Sequence, residues 1–123
     1  MTGFVSFHGG LKTPEGQNYS ETTGSILILH GSVDPVSGMD DVTNLVKELN
    51  DFEIQHEVHI YGGIRHSFTI KGSRDYSEKA EKKSWDALQS YLTKIQNYKY
   101  ISHSFINLRK CQILNLIMKI KRS

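Results

Sequence analysis

The run Ile26-Leu27-Ile28-Leu29 is the feature that most limits what this chain can become. Four consecutive branched apolar residues do not alternate as a sheet with one wet face requires. They suit a parallel strand covered on both sides, and so predict a buried central strand between layers of helix. The run stops at His30-Gly31, and Ser32-Val33-Asp34-Pro35 follows. An aspartate therefore falls in the loop just past the strand's carboxyl end, the edge at which open parallel sheets build their sites. Asp before Pro also starts turns in its own right, leaving Asp40 or Asp41 to cap the helix that follows. Asp34 alone decides nothing.

A second segment changes that. His56-Glu57-Val58-His59-Ile60-Tyr61 alternates and is rich in β-formers, and Gly62-Gly63-Ile64-Arg65-His66-Ser67-Phe68 then sets a histidine in a glycine-rich loop. Between the two strands, Met39 to Asn50 carries Val42, Leu45, Val46 and Leu49 at spacings of three and four, an apolar helical stripe with Asp40 and Asp41 at its electropositive start. If the two strands are parallel neighbours with a right-handed crossover, their carboxyl ends share one edge, and Asp34 can meet His66. Such a pair is the acid and base of a nucleophile-histidine-acid triad. The carboxylate holds Nδ1–H and stabilises the imidazolium, while Nε2 takes the proton of a serine or cysteine and later returns it. α/β-Hydrolases order these groups as nucleophile, acid, histidine, and the last two stand here in that order.

Four segments carry a resemblance: Val5-Ser6-Phe7-His8-Gly9-Gly10-Leu11, Ile28-Leu29-His30-Gly31-Ser32-Val33-Asp34-Pro35, Tyr61-Gly62-Gly63-Ile64-Arg65-His66-Ser67-Phe68 and Ser84-Trp85. Over roughly residues 3–95 the chain resembles the C-terminal half of the dienelactone hydrolase family. The resemblance implies an α/β fold, a partial α/β-hydrolase of about three parallel strands with flanking helices. It also implies hydrolysis of small carboxylic esters or lactones through an acyl-enzyme, with Asp34 and His66 as triad acid and base and no cofactor.

The chain departs from the family in its nucleophile. Gly-x-Ser/Cys-x-Gly, the tight elbow that presents the attacking group, occurs nowhere. Ser6, Ser25, Ser32, Ser37, Ser67 and Ser73 lack the flanking glycines, and Cys111 sits among Arg109, Lys110 and Gln112. Ile70 stands where some members carry an arginine for an anionic substrate; Arg65 could grip a carboxylate bidentately or simply be solvated. Two expectations stay open. One is the C-terminal half of a split hydrolase, completed by a separately encoded N-terminal half. The other is a non-catalytic remnant or interaction module whose unpaired sheet edge promotes self-association.

The rest of the chain fills in the frame. With 123 residues, 37% hydrophobic and 23% charged, one small domain is expected, residues 1–95 forming the hydrolase-like part and 96–123 an extension. Phe4 to Phe7 reads as a further strand, and Ser77 to about Ile95 as a helix with Ala80, Ser84, Ala87, Leu88, Tyr91, Leu92 and Ile95 inward and Trp85 as an anchor. His8 and His30, each at a strand end before glycine, read as hydrogen-bonded structure rather than further bases. A single cysteine forms no internal disulfide, and His56 and His59 point to opposite faces, so no metal site is expected. A net charge of +2 without interleaved aromatics argues against nucleic acid, and no glycine-rich phosphate cradle precedes a helix. The N-terminus has no secretory pattern and no apolar run reaches membrane length, which leads us to expect a cytoplasmic protein. From Gln96 on there are Lys99, Arg109, Lys110, Lys119, Lys121 and Arg122 but no acid, with Ile113, Leu114, Leu116, Ile117, Met118 and Ile120 spread around a helix. Such a tail could lie on an anionic membrane, pack on the sheet edge, or have no selected role.

Overall fold

The central strand of the computed structural model is β2 (Ser25–Gly31), the apolar run extended by one or two residues at each end. It pairs in parallel with β1 (Thr2–Phe7) on one side and β3 (His56–Tyr61) on the other, with Val5 opposite Leu27 and Leu27 opposite Glu57. Two helices complete the frame, α1 (Met39–Asp51) between β2 and β3 and α2 (Glu78–Lys94) after β3. The structure describes residues 2–95, together with the backbone of a fourth strand, β4 (Leu114–Lys119).

Side-chain alternation along β2 splits the core into two layers. Leu27 and Leu29, with Val5 and Phe7 of β1, face α2 and meet Ala87, Leu88, Tyr91 and Leu92. Ile28 faces the other way, onto Val42, Leu45 and Leu49 of α1. Each of these strand residues is essentially solvent-free. Burying a side chain of that size stabilises by about 1.5–3 kcal/mol, and β2 contributes such side chains on both of its faces. Trp85 is half-buried against the α2 layer, its ring 5.1 Å from that of Phe7.

Local chemistry sets the helix ends. Ser77 caps α2, its Oγ accepting from the Ala80 amide at 3.2 Å. The cap of α1 is Gly38, without a side-chain bond, so neither Asp40 nor Asp41 takes the capping role open to them in the sequence. Asp41 instead accepts from the Ser37 hydroxyl at 2.9 Å, and both acids remain in the first turn, where the helix dipole favours them. Tyr91 ties α2 to the start of β2 by a hydrogen bond with Ser25.

The tail corrects one expectation. Leu114–Lys119 is a strand, not part of a helix, and it pairs antiparallel with β1 in the order β3-β2-β1-β4, with Phe7 opposite Leu114. Unpaired amides and carbonyls along β1 give a neighbouring segment a template that overrides its weak helical pattern. Residues 96–113 and 120–123, which include Cys111, lie outside the described residues. At the opposite edge, β3 carries charge: Glu57 accepts from His59 Nε2 at 2.7 Å and from Lys94 Nζ at 3.2 Å. No helix among the described residues is long and apolar enough to cross a membrane.

Candidate active site

The parallel pairing of β2 with β3 puts the loops after both strands on one edge, and hydrogen bonds sew them together. The Ser32 amide donates to the Tyr61 carbonyl at 2.9 Å, the Val33 amide to that of Ile64 at 3.1 Å, and the Gly63 amide to Ser32 Oγ at 2.7 Å. Gly31 makes the approach possible. A Cβ at this position would stand 2.2 Å from the Ile64 carbonyl oxygen, so only a residue without one fits.

Asp34 is fixed from both oxygens. Oδ1 accepts from the amides of Val36 at 2.7 Å and Ser37 at 3.0 Å, an Asx turn that locks the side chain to its own loop. Oδ2 accepts from His66 Nδ1 at 2.8 Å. The turn-forming role and the histidine-holding role therefore belong to one carboxylate, each using a different oxygen. Asp34 is 4% exposed. Burial pushes its carboxyl up, but the Ser37 amide, the His66 ring and the Val36 amide together outweigh burial and hold it below its ordinary value. The group is a carboxylate at neutral pH.

His66 follows the tight turn at Gly63, and the next residue, Ser67, adopts left-handed backbone with φ of 57°. Its side chain is 13% exposed, so the ring is anchored on the Asp34 side and still reaches solvent. With Nδ1 donating to Asp34, Nε2 is the nitrogen left for a proton acceptor's task.

Two more histidines stand close. His30 donates from Nε2 to the Ser37 carbonyl at 2.6 Å and lies 3.7 Å from Asp34 Oδ2. His8 is hydrogen-bonded through Nε2 to Thr69 Oγ1 at 2.8 Å. Both are completely buried, as hydrogen-bonded structural residues would be, though Nδ1 of each has no partner among the described residues. Burial, and then the neighbouring His66, lower the pKa of His8 to about 4. Among the described residues no group of three or more His, Cys, Asp or Glu side chains is placed to hold a metal ion.

The remaining sequence candidates lie elsewhere. Arg65 is not simply solvated, since its Nε donates to Asp75 Oδ1 at 3.1 Å in a half-exposed ion pair. His56 donates to the Ile54 carbonyl at 2.8 Å, and His59 bonds Glu57. No serine, threonine or cysteine of the described residues hydrogen-bonds His66. A groove of about 400 Å³ opens on the α1 side of the sheet, lined in part by Phe4, Ser6, Leu11, Tyr19, Ile26 and Leu45, away from Asp34 and His66. Sequence reasoning missed the pairing of Thr69 with His8 and the need for Gly31. Glycine directly after a buried strand was the available signal for the second; Thr69 offered none.

The family model described as "Dienelactone hydrolase family" matches residues 1–96. The chain belongs to the dienelactone hydrolase family. Solved structures agree with that membership. A dienelactone hydrolase-like promiscuous phosphotriesterase from metagenomic libraries is 27% identical with a TM-score of 0.65, and covers 73% of this chain. A protein designated m3DLH is 26% identical with a TM-score of 0.61, and covers 70%. This member of the family spans about two fifths of those two structures, 41% and 39% of their lengths. No curated protein matches the chain significantly.

Proposed function

We propose that this dienelactone hydrolase-family chain supplies the acid and base of a hydrolase acting on small carboxylic esters or lactones. The observation that carries the proposal is the 2.8 Å bond from His66 Nδ1 to an Asp34 carboxylate already locked by two amides. In the reaction, His66 Nε2 takes the proton of a serine or cysteine as that atom attacks the ester carbonyl carbon. The tetrahedral intermediate collapses, the C–O bond to the alcohol breaks, and Nε2 returns the proton to the leaving oxygen. Water then gives a proton to Nε2 and attacks the acyl carbon, the bond from that carbon to the serine or cysteine breaks, and Nε2 returns the proton to that atom as the acid is released. Asp34 stays ionised throughout and stabilises the imidazolium formed at each stage.

The nucleophile and the oxyanion donors are not found beside His66 among the described residues, and we place them on an N-terminal half of the family fold. Its last strand would pair along β1, so it takes that edge from β4. The experiment is complementation. The chain is mixed with the N-terminal half of a dienelactone hydrolase bearing the nucleophile elbow, and p-nitrophenyl ester hydrolysis is followed. A phosphate triester is assayed beside it, because one structural relative is described as a promiscuous phosphotriesterase. The pair should hydrolyse the ester, His66→Ala should abolish the gain, and truncation after Ile95 should speed its onset. A His66→Ala pair as active as the unmodified pair contradicts the proposal.

A further inference from the structure

We propose that His8 is a positioning residue for His66, a clamp that reaches across the sheet edge from the end of β1 to fix the imidazole against Asp34. This rests on the role given to Asp34 and His66 above. The geometry is specific. His8 directly follows β1 in left-handed backbone, φ 41°, with its amide still donating to the Leu29 carbonyl at 2.9 Å. Its ring meets that of His66 edge-on, centroids 5.4 Å apart and planes at 67°, and that of Phe68 at 5.1 Å and 77°. Nε2 is tied to Thr69 Oγ1 at 2.8 Å. One ring thus touches His66, Phe68 and Thr69 in a single stretch of the loop that follows β3.

The position is costly for a histidine. Its ring is fully buried and Nδ1 has no partner among the described residues, whereas a hydrocarbon ring would bring no polar atom of its own into the core. A buried donor or acceptor left unmet is destabilising. What the histidine gains over phenylalanine is the bond to Thr69, which fixes where the ring edge sits beside His66. The Asp34 bond restrains one nitrogen of His66 but leaves the ring able to pivot about that contact. A second contact on the ring, held rigidly, removes the pivot and keeps Nε2 aimed at one place, as catalytic geometry requires.

Long-range proton–nitrogen NMR of the intact chain tests this, reading the His66 tautomer and its low-field Nδ1 proton directly. The wild-type chain should show a single tautomer with that proton present. His8→Phe and Thr69→Val should each lose the low-field signal and show both tautomers, while Thr69→Ser retains the wild-type signature. Amide fingerprints establish that each variant is folded, and if His8→Phe is not, the near-isosteric Thr69→Val decides. The inference is overturned if folded Thr69→Val keeps the wild-type signature, or if Thr69→Ser loses it, since packing rather than the hydroxyl would then be the cause. Absence of the signature from the wild-type chain sinks both proposals; its presence with no response to Thr69→Val sinks this one alone.

Discussion

Asp34 Oδ2 accepts from His66 Nδ1 at 2.8 Å, while Oδ1 of the same carboxylate closes a turn on the amides of Val36 and Ser37. The consequence is mechanical as well as electrostatic. The imidazole is held by a group that cannot itself move without unfolding its loop, and the two loops are joined by backbone bonds through Tyr61 and Ile64. Orientation of the imidazole is built into the secondary structure.

Gly31→Ala should disrupt that joint. The added methyl would stand 2.2 Å from the Ile64 carbonyl oxygen, a backbone atom that cannot swing aside. Overpacking of this kind costs about 1–3 kcal/mol, so the urea midpoint should fall at unchanged slope. The low-field His66 proton should weaken with it. Gly38→Ala, where a Cβ would meet nothing within 4 Å, is the control and should leave the His66 signal in place.

Stability should decline as pH falls from 6.5 toward 4. The folded chain keeps His8 neutral down to about 4, whereas the unfolded chain protonates it below its ordinary 6.5, so the unfolded state binds more protons in this window. The loss from this group amounts to about 3 kcal/mol and levels off below pH 4. His66, His30 and Asp34 are the titratable neighbours that act on it. Asp34 adds to the decline at lower pH, since its folded value is depressed and its contribution disappears as pH drops through that value. Urea titrations across this range should show a shallower slope for His8→Phe than for the wild type between pH 6.5 and 4. Equal slopes would contradict the assignment.

Core and rim should respond differently to truncation. Leu49 is solvent-free against Ile28 and the rest of the α1 layer, and Leu49→Ala should cost about 2–5 kcal/mol in chemical denaturation. Val36 is 65% exposed beside Asp34, and Val36→Ala should stay within about 0.5 kcal/mol. Its amide, not its side chain, serves the site.

What could be read from the residues followed from periodicity. The unbroken run at Ile26–Leu29 marked a double-sided strand, the stripe from Val42 to Leu49 marked the helix across it, and together they put the loops of Asp34 and His66 on one edge. The contacts perpendicular to the chain were not legible. Thr69 meets His8 only because a loop folds back over the sheet, and Asp75 meets Arg65 for a similar reason; neither leaves a periodic trace. The tail misled for a related reason. Leu114–Lys119 has apolar residues compatible with several structures, and the edge of β1, which is remote in sequence, decides among them.

The central claim is that Asp34 fixes His66 with Nδ1 protonated and Nε2 free to accept a proton, and the most direct measurement is the nitrogen chemical shifts of His66 in the wild-type and Asp34→Asn chains. We predict one Nδ1–H tautomer with a low-field proton in the wild type, and loss of both in a folded Asp34→Asn. A His66 protonated at Nε2, or a tautomer indifferent to Asp34→Asn, would contradict the account.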